Sequence, residues 1–449
     1  MSIALIVLAA GKGTRMESDL PKVLHRIAHA PMLWHAMRAG QALEPERTIV
    51  VAGHEAAQVQ ASVLGYDPEA RVAVQTEQLG TAHAVAQAMP QLEDFDGDAI
   101  VLYGDTPFIS QDTLEAMSVA RARHDIVVLG FEAADPGRYG RLVTEGESLL
   151  RIVEYKDATE EERAITLCNS GVLCADASLL ADLVKLVKND NAAGEYYLPD
   201  VVALARANGL SAGVVPCDEA ETLGVNSRAE LAGAEAAFQA RARSELLENG
   251  VALAAPETVF LAWDTVIGRD TEVEPNVIFG PGVTVESGAR LRAFSHLEGC
   301  HVSRGAVVGP FARLRPGAEL AEEVHVGNFV EVKNAYLAEG VKANHLTYIG
   351  DADIGERTNI GAGTITCNYD GVFKHRTTIG RGAFIGSDTM LVAPVSIGDG
   401  AMTGTGSVIT EDVPPGALAL GRAKQVTKQG FATRLFEMLR AKKAKQSKG

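Results

Sequence analysis

A spacing of six residues governs the second half of the chain. From about residue 258 to about 412, aliphatic or small residues recur at Ile267, Val273, Phe279, Val285, Leu291 and Leu297, then in shifted register at Val302, Val308, Leu314, Leu320, Val326 and Val332. The series resumes at Ile379, Ile385, Leu391, Ile397, Thr403 and Ile409, with glycine following several of these positions, as in Ile379-Gly380, Ile385-Gly386 and Ile397-Gly398. This is the repeat of a parallel β-helix. The aliphatic side chain points into a narrow triangular core, glycine permits the backbone to turn each corner, and three hexapeptides make one coil. Gly363-Thr-Ile-Thr-Cys-Asn-Tyr-Asp370 breaks the pattern, and an irregular stretch inside so steady a repeat is expected to serve function.

With 449 residues in the chain, the first 225 or so need a fold of their own. A net charge of -17 argues against general attraction to nucleic acid or an anionic membrane, so any anionic ligand must be held by local basic groups. The five cysteines (Cys168, Cys174, Cys217, Cys300 and Cys367) show no CxxC spacing, which fits reduced thiols in a cytoplasmic protein better than a disulfide framework or a zinc site. The apolar stretch over residues 2–10 has no basic segment before it, and nothing in the chain approaches a membrane span. It reads as a buried first strand.

That strand, Ile3-Ala-Leu-Ile-Val-Leu8, is a continuous apolar run of the kind a central parallel strand needs. It leads into Ala9-Ala-Gly-Lys-Gly-Thr-Arg-Met16, which matches neither of two familiar loops. A dinucleotide fold wants a third glycine where Met16 stands, and a P-loop wants Gly-Lys followed directly by Ser or Thr. Small residues with free backbone N–H groups, together with Lys12 and Arg15, still make a cradle for a nucleotide. Leu20-Pro-Lys22 then precedes a helical pattern at Val23, Leu24, Ile27, Met32, Leu33 and Met37, which places Lys22 at a helix start facing the loop. Strand patterns over 48–52, 72–75, 99–103 and 126–129 alternate with helices from Glu55, Thr81 and Gln111, predicting an open, mostly parallel sheet with ligands at its carboxyl ends. Asp105 stands at such an end. A carboxylate there suits Mg²⁺, which takes hard oxygen ligands and keeps waters and phosphate oxygens as the rest. The expected second ligand is Asn226, directly before Ser227-Arg-Ala-Glu230, a capping box that opens a helix over 228–248.

Leu8-Ala-Ala-Gly-x-Gly-Thr-Arg-Met16 followed by Leu20-Pro-Lys22 resembles the signature of sugar-1-phosphate nucleotidyltransferases. The resemblance implies a Rossmann-like α/β domain with catalytic charges on Lys22 and Arg15, and Mg²⁺ on Asp105 and Asn226. It implies base and ribose contacts at Gly11, Gln75, Gly80, Thr81 and Asp105, with Leu8 and Tyr103 also in the substrate site, and sugar contacts at Gly140, Glu154 and Asn169. Ala82 and Ser170 depart from it, standing where Gly and Thr are expected.

The helix over 228–248 has the composition of an exposed connector and stops at Gly250. A β-helix is a flat-sided prism whose faces can pack three to a bundle, so a homotrimer is the expected assembly. Arg315, Glu331, Lys333, His345, Tyr348, Asn368 and Tyr369 are polar groups set among hexapeptides that need only aliphatics and glycine. His345 can take a proton near neutral pH, with Glu331 placed to orient it. Arg315 and Lys333 can neutralise a phosphate, while Tyr348 and Asn368 can orient a sugar.

Residues 2 to about 425 resemble the bacterial family that joins an N-acetylglucosamine-1-phosphate uridyltransferase to a glucosamine-1-phosphate N-acetyltransferase. The resemblance implies a left-handed β-helix with sugar-phosphate contacts at Arg315, Lys333, Tyr348 and Asn359. Acetyl-CoA contacts are implied at Ala362, Asn368, Tyr369, Ser387, Thr405 and Arg422, with Thr405 standing where some relatives have Ala. His345 is expected to be the base of acetyl transfer, and the oxyanion to be met by a backbone N–H near 362–364 or by the Tyr348 hydroxyl. The implied enzyme is a cytoplasmic homotrimer that acetylates glucosamine-1-phosphate from acetyl-CoA and uridylylates the product with UTP. UDP-N-acetylglucosamine, a precursor for peptidoglycan and lipopolysaccharide, and pyrophosphate result. Expected boundaries are 1–226 for the uridyltransferase domain, 227–250 for the linker helix, 251–425 for the β-helix and 426–449 for a tail. The tail's Arg434, Arg440, Lys442, Lys443, Lys445 and Lys448 read as a solvated helix end, with help in holding the anionic coenzyme as the alternative.

Overall fold

The computed structural model describes residues 2–146 and 148–446. The chain divides into two compact units, Met1–Arg243 with Leu261–Trp263, and Ser244–Phe260 with Asp264–Gly449.

The first unit is built on a nine-stranded sheet in the order Arg71–Val74, Arg47–Ala52, Ile3–Ala9, Asp98–Tyr103, Leu167–Asp176, Ile126–Glu132, Ala212–Cys217, Ser148–Val153, Arg141–Glu145. The first four strands run parallel, as the strand and helix alternation predicts, and Leu167–Asp176 enters antiparallel between two of the others. The apolar run of Ile3–Ala9 is explained by cover on both sheet faces. Ala4, Ile6 and Leu8 pack with Val85 and Leu180 on one face, while Leu5, Val7 and Ala9 pack with Leu33, Met37 and Leu114 on the other. Burying each such Leu, Ile or Val contributes about 1.5–3 kcal/mol, so a polar residue at Ile6 or Val7 would open the sheet at its centre.

The chain after Lys22 departs from the sequence reading. Lys22–Leu24 forms a single 3₁₀ turn, after which Arg26–Ile27 and Ala30–Pro31 pair as a short ribbon, and the helix begins only at Met32. Ala28 and His29 both adopt positive φ, 49° and 71°, the backbone of a tight hairpin turn. Pro31, which cannot donate within a helix, stands just before the first helical residue. The apolar spacing at Val23, Leu24 and Ile27 therefore reports burial and not helix.

The helix over Arg228–Glu248 forms as expected, but its first turns are not an exposed connector. Ala234 and Phe238, four residues apart on one face, are buried with Ile27, Met32 and Phe108. Gln239 is also buried, donating to the Leu261 carbonyl at 2.7 Å and accepting from the Leu261 N–H at 2.9 Å.

In the second unit the repeat stacks into three ladders around a thin core, and every residue of the six-fold series is buried. One ladder runs Ile267, Val285, Val302, Leu320, another Phe279, Leu297, Leu314, Val332, and the third Val273, Leu291, Val308, Val326. The shift in register after Leu297 is a corner shortened by one residue, at Gly299. Its φ is 53°, and a Cβ there would meet the Pro316 Cα at 3.0 Å. The interruption begins only at the end of Gly363–Asp370. Ile365–Cys367 is a regular strand, and Thr366 takes the core position with its hydroxyl 2.8 Å from the Gly350 N–H and 3.0 Å from its carbonyl. The true excursion follows. His375 N–H donates to the Asn368 carbonyl, Tyr369 bridges Lys374, and Asp370 accepts from the N–H groups of Val372 and Phe373.

Candidate active sites

In the first unit the loop after Ile3–Ala9 is anchored by buried Met16, which explains why no glycine stands there. Gly13 has φ 61°, and a Cβ on it would come 2.5 Å from the Lys22 Cβ, so the loop lies directly on the Lys22 stem. The Lys22 ammonium forms an ion pair with Asp105 and donates to Asn226 Oδ1 at 2.9 Å. Asp105 sits just past Asp98–Tyr103, a strand parallel to Ile3–Ala9, and its carbonyl accepts from the Val225 N–H, tying the two oxygen-bearing segments together. The capping box at Asn226 is displaced by one residue. Ser227 Oγ accepts from the Glu230 N–H as expected, whereas the Glu230 carboxylate takes the Asn226 N–H at 2.6 Å.

Leu8, Gly11, Lys22, Gln75, Gly80, Thr81, Tyr103 and Asp105 line one cleft of about 250 Å³. Glu154 lines a second cleft of about 380 Å³ with Arg138, Lys156 and Tyr197, and Glu195 borders both. Gly140 and Asn169 belong beside Glu154. The Asn169 N–H donates to the Gly140 carbonyl at 2.8 Å, and a Cβ on Gly140 would lie 3.2 Å from Glu154 Oε1. Burial pushes the Glu154 carboxyl above the usual carboxylate range, helped by the charges of Asp200 and Asp157. Burial likewise raises the Tyr103 phenol, with the Asp105 charge adding to it. Arg15 lies exposed on the turn Thr14–Met16 and is not brought to the cleft wall. The two departures from family pattern are structural. Ala82 is buried among the packed helices, and Ser170 Oγ donates to the Leu129 carbonyl.

Among the described residues no group of three His, Cys, Asp or Glu side chains is assembled for a metal. Asp105 and Asn226 nonetheless converge on one positive charge, the Lys22 ammonium. Two oxygen donors meeting at one cation suit Mg²⁺, whose remaining ligands come from water and phosphate.

In the second unit His345 is exposed at the end of Lys342–His345, and its Nδ1 lies 3.0 Å from Oδ1 of Asn328, its register partner one coil earlier. Because Asn328 Oδ1 only accepts, Nδ1 carries the proton and Nε2 keeps its lone pair. Glu331 does not orient His345. It pairs with Arg315 at 2.8 Å and Arg313 at 3.5 Å, its neighbours on the preceding coil. Asn328 stands 17 residues before His345, a spacing that could have revealed it.

Tyr348 is the register partner of Glu331, and Gly350 of Lys333. Asn368 donates to the Tyr348 hydroxyl at 3.4 Å and to Asp351, a buried carboxylate that also accepts from Asn334 at 2.5 Å. Asn359 stands apart from these, on the ladder of Lys342 and Phe384. Four of the expected coenzyme residues, Ala362, Ser387, Thr405 and Arg422, share a corner with His345. Gly363 N–H bonds the Leu346 carbonyl, Asp388 N–H the Ala362 carbonyl and Gly406 N–H the Ser387 carbonyl, and Arg422 closes the column on the Thr405 carbonyl at 2.6 Å. Tyr369 lies at the root of the excursion with its ring exposed and the Lys374 ammonium 4.8 Å away. The basic residues of the helix Phe431–Gln446 are all exposed, and Lys448 lies outside the described residues.

Fold and sites together define a nucleotidyltransferase joined to a hexapeptide acyltransferase. The MobA-like NTP transferase domain family matches residues 5–196, and the bacterial transferase hexapeptide family (six repeats) matches residues 376–411. Curated relatives named "Bifunctional protein GlmU" match along the whole chain. The protein of a Ruegeria species is 70% identical over 449 residues, covering 100% of both chains. That of Cereibacter sphaeroides is 72% identical over 448 residues, covering 100% of this chain and 99% of its own. That of Paracoccus denitrificans is 67% identical over 441 residues, covering 98% of each. The chain belongs to the bifunctional GlmU family, and its repeat unit is a left-handed β-helix. It is a two-activity transferase that acetylates glucosamine-1-phosphate and uridylylates N-acetylglucosamine-1-phosphate, making UDP-N-acetylglucosamine.

Proposed function

We propose that two separate constellations carry the two reactions. For uridylyl transfer, Lys22 neutralises phosphate charge at the cleft wall, and Arg15 adds to it from the exposed turn at the cleft's edge only once substrate is bound. Gly11, Gln75, Gly80 and Thr81 take base and ribose, and Gly140, Glu154 and Asn169 hold the acetylated sugar. Mg²⁺, held by Asp105 and Asn226, would neutralise charge developing on the phosphates. The sugar phosphate oxygen attacks the α-phosphorus of UTP in line and pyrophosphate leaves, so the chain's residues align and neutralise without supplying a nucleophile. The observation that carries this reading is the convergence of Lys22, Asp105 and Asn226 from distant parts of the sequence.

For acetyl transfer, the glucosamine nitrogen needs a lone pair to attack the thioester carbonyl. His345 Nε2 accepts its proton, the C–S bond breaks, and the proton passes to the departing thiolate. Asn328 supports this role by holding Nδ1–H. Arg315 and Lys333 neutralise the sugar phosphate, Tyr348 and Asn359 orient the ring, and Ala362, Ser387, Thr405 and Arg422 form the coenzyme corner with Asn368 and Tyr369 at its edge. Of the donors expected near 362–364, the Gly363 and Thr364 N–H groups bond the Leu346 and Gly361 carbonyls, so the oxyanion is met by the Ala362 N–H or by the Tyr348 hydroxyl.

The working assembly is a cytoplasmic homotrimer. Asn359 and Tyr348 lie on different ladders of one prism, and diverging faces of a prism cannot line a single cleft, whereas faces of neighbouring copies can. Exposed, stacked Phe294, Phe311 and Phe329, with ring centroids 5.0 and 5.3 Å apart, supply apolar surface for such packing. The test is to follow free coenzyme thiol and pyrophosphate separately. Asp105→Ala is expected to lose pyrophosphate release alone and His345→Ala thiol release alone. Joint loss of both activities in well-folded variants would refute the assignment.

A further inference from the structure

Gln75, assigned above to the base, is only 3% exposed at the cleft wall. One end of a primary amide donates and the other accepts, so turning it over reverses what it offers a ligand. Two neighbours decide the orientation here. Gln75 Nε2 donates to the Gly80 carbonyl at 3.1 Å and meets His83 Nδ1 at 3.0 Å. The carbonyl can only accept, so the NH₂ end is turned inward, both its protons are used within the protein, and Oε1 is what Gln75 has left for the cleft. His83 stands on the first turn of the helix Thr81–Ala88, its ring near Tyr196 and its Nε2 3.3 Å from the Gln87 amide. A neutral imidazole has one acceptor nitrogen. With Nδ1 accepting from Gln75, Nε2 carries the proton, and the Gln87 amide donates to the His83 backbone carbonyl at 3.1 Å.

We propose that His83 is a positioning residue for base selection, holding the Gln75 amide with its carbonyl toward the cleft so that the site presents a fixed acceptor to the N3–H of uracil. The proposal rests on the assignment of Gln75 to the base. Uracil carries N–H at that ring position and cytosine carries a lone pair. A fixed acceptor therefore favours UTP, and an amide free to turn offers its NH₂ to cytosine and loses the discrimination. Gly80 alone leaves one amide proton unheld. His83 supplies the second anchor.

The experiment measures kcat and KM with UTP and with CTP for the full-length enzyme at saturating N-acetylglucosamine-1-phosphate. His83→Ala is expected to raise the KM for UTP about tenfold with kcat within about twofold, and to lower the UTP-over-CTP preference about tenfold, the size of one lost polar contact. His83→Asn, whose Oδ1 can accept in place of Nδ1, is expected to restore the preference to within about twofold of wild type. Unchanged preference in His83→Ala beside a collapsed one in Gln75→Ala overturns the positioning role, as does an Asn variant no better than the Ala variant. Unchanged preference in Gln75→Ala overturns the base assignment, and the proposal with it.

Discussion

The two units bring polar groups together by opposite routes. In the first, Lys22 reaches Asp105 across 83 positions and Asn226 across 204, and only a sheet with long connections brings the three together. In the second, Arg315 meets Glu331 16 positions on and Asn328 meets His345 17 positions on, so each pair is simply one coil stacked on the next. A convergent site depends on the whole sheet being folded. A stacked site depends on local register, because each coil touches only its neighbours.

If the two sites are as separate as this contrast implies, damage in one should not reach the other. The largest effect is expected for Asp105→Ala, which removes the oxygen proposed for Mg²⁺ and the partner of Lys22. Pyrophosphate release should fall about a thousandfold while acetylation stays within about twofold. A parallel fall in thiol release would break the comparison. Next comes His345→Ala, expected to lower acetylation kcat at least about a hundredfold with uridylylation intact. Asn328→Ala, which frees the ring without removing the base, should cost about tenfold, and restoration of rate by Asn328→Asp would confirm that the effect is orientation.

Glu154 sharpens the contrast through pH. Its folded-state carboxyl is raised above the usual value by burial and the nearby Asp200 and Asp157, so the favourable, protonated form is fully present at low pH. Its stabilising contribution is lost as pH rises through the raised value. Glu154→Gln should therefore raise the Tm of the first unit at pH 8 and change it little at pH 4, while weakening sugar-phosphate KM about tenfold. A larger gain at pH 4 would contradict the burial argument. The smallest effect is in the repeat core. Thr366→Val, nearly isosteric, should cost about 1–2 kcal/mol in denaturant unfolding by orphaning the Gly350 N–H, with no change in uridylylation.

The repeat unit was legible to the level of single side chains, since a six-residue period names the buried residue of each edge without knowledge of anything distant. Reading it failed where polar residues entered. Thr366 fills a core position because its hydroxyl is satisfied by Gly350, and a threonine inside an aliphatic series looks like an interruption. The sequence offers Glu331 to orient His345, whereas register sets Glu331 opposite Arg313, within reach of Arg315 at 2.8 Å, and gives His345 to Asn328. In the first unit the cleft residues from Leu8 to Asp105 were recoverable only through the family resemblance, and Glu195, His83 and the hairpin after Lys22 were not recoverable.

By itself, then, the sequence determined what is periodic or local: the three ladders of the prism, the apolar strand at the centre of the sheet, and the residue types able to carry phosphate, proton and metal. The tertiary structure alone decided which of those groups meet. The backbone bond from Val225 to Asp105 set Asp105 and Asn226 on one cation, the Lys22 ammonium, and burial raised the Glu154 carboxyl. The inward turn of one amide left Gln75 Oε1 for a ligand. The physical reason is range. Side-chain period is a property of neighbouring residues, while charge pairing, desolvation and amide orientation depend on atoms that only the folded chain brings within a few ångströms.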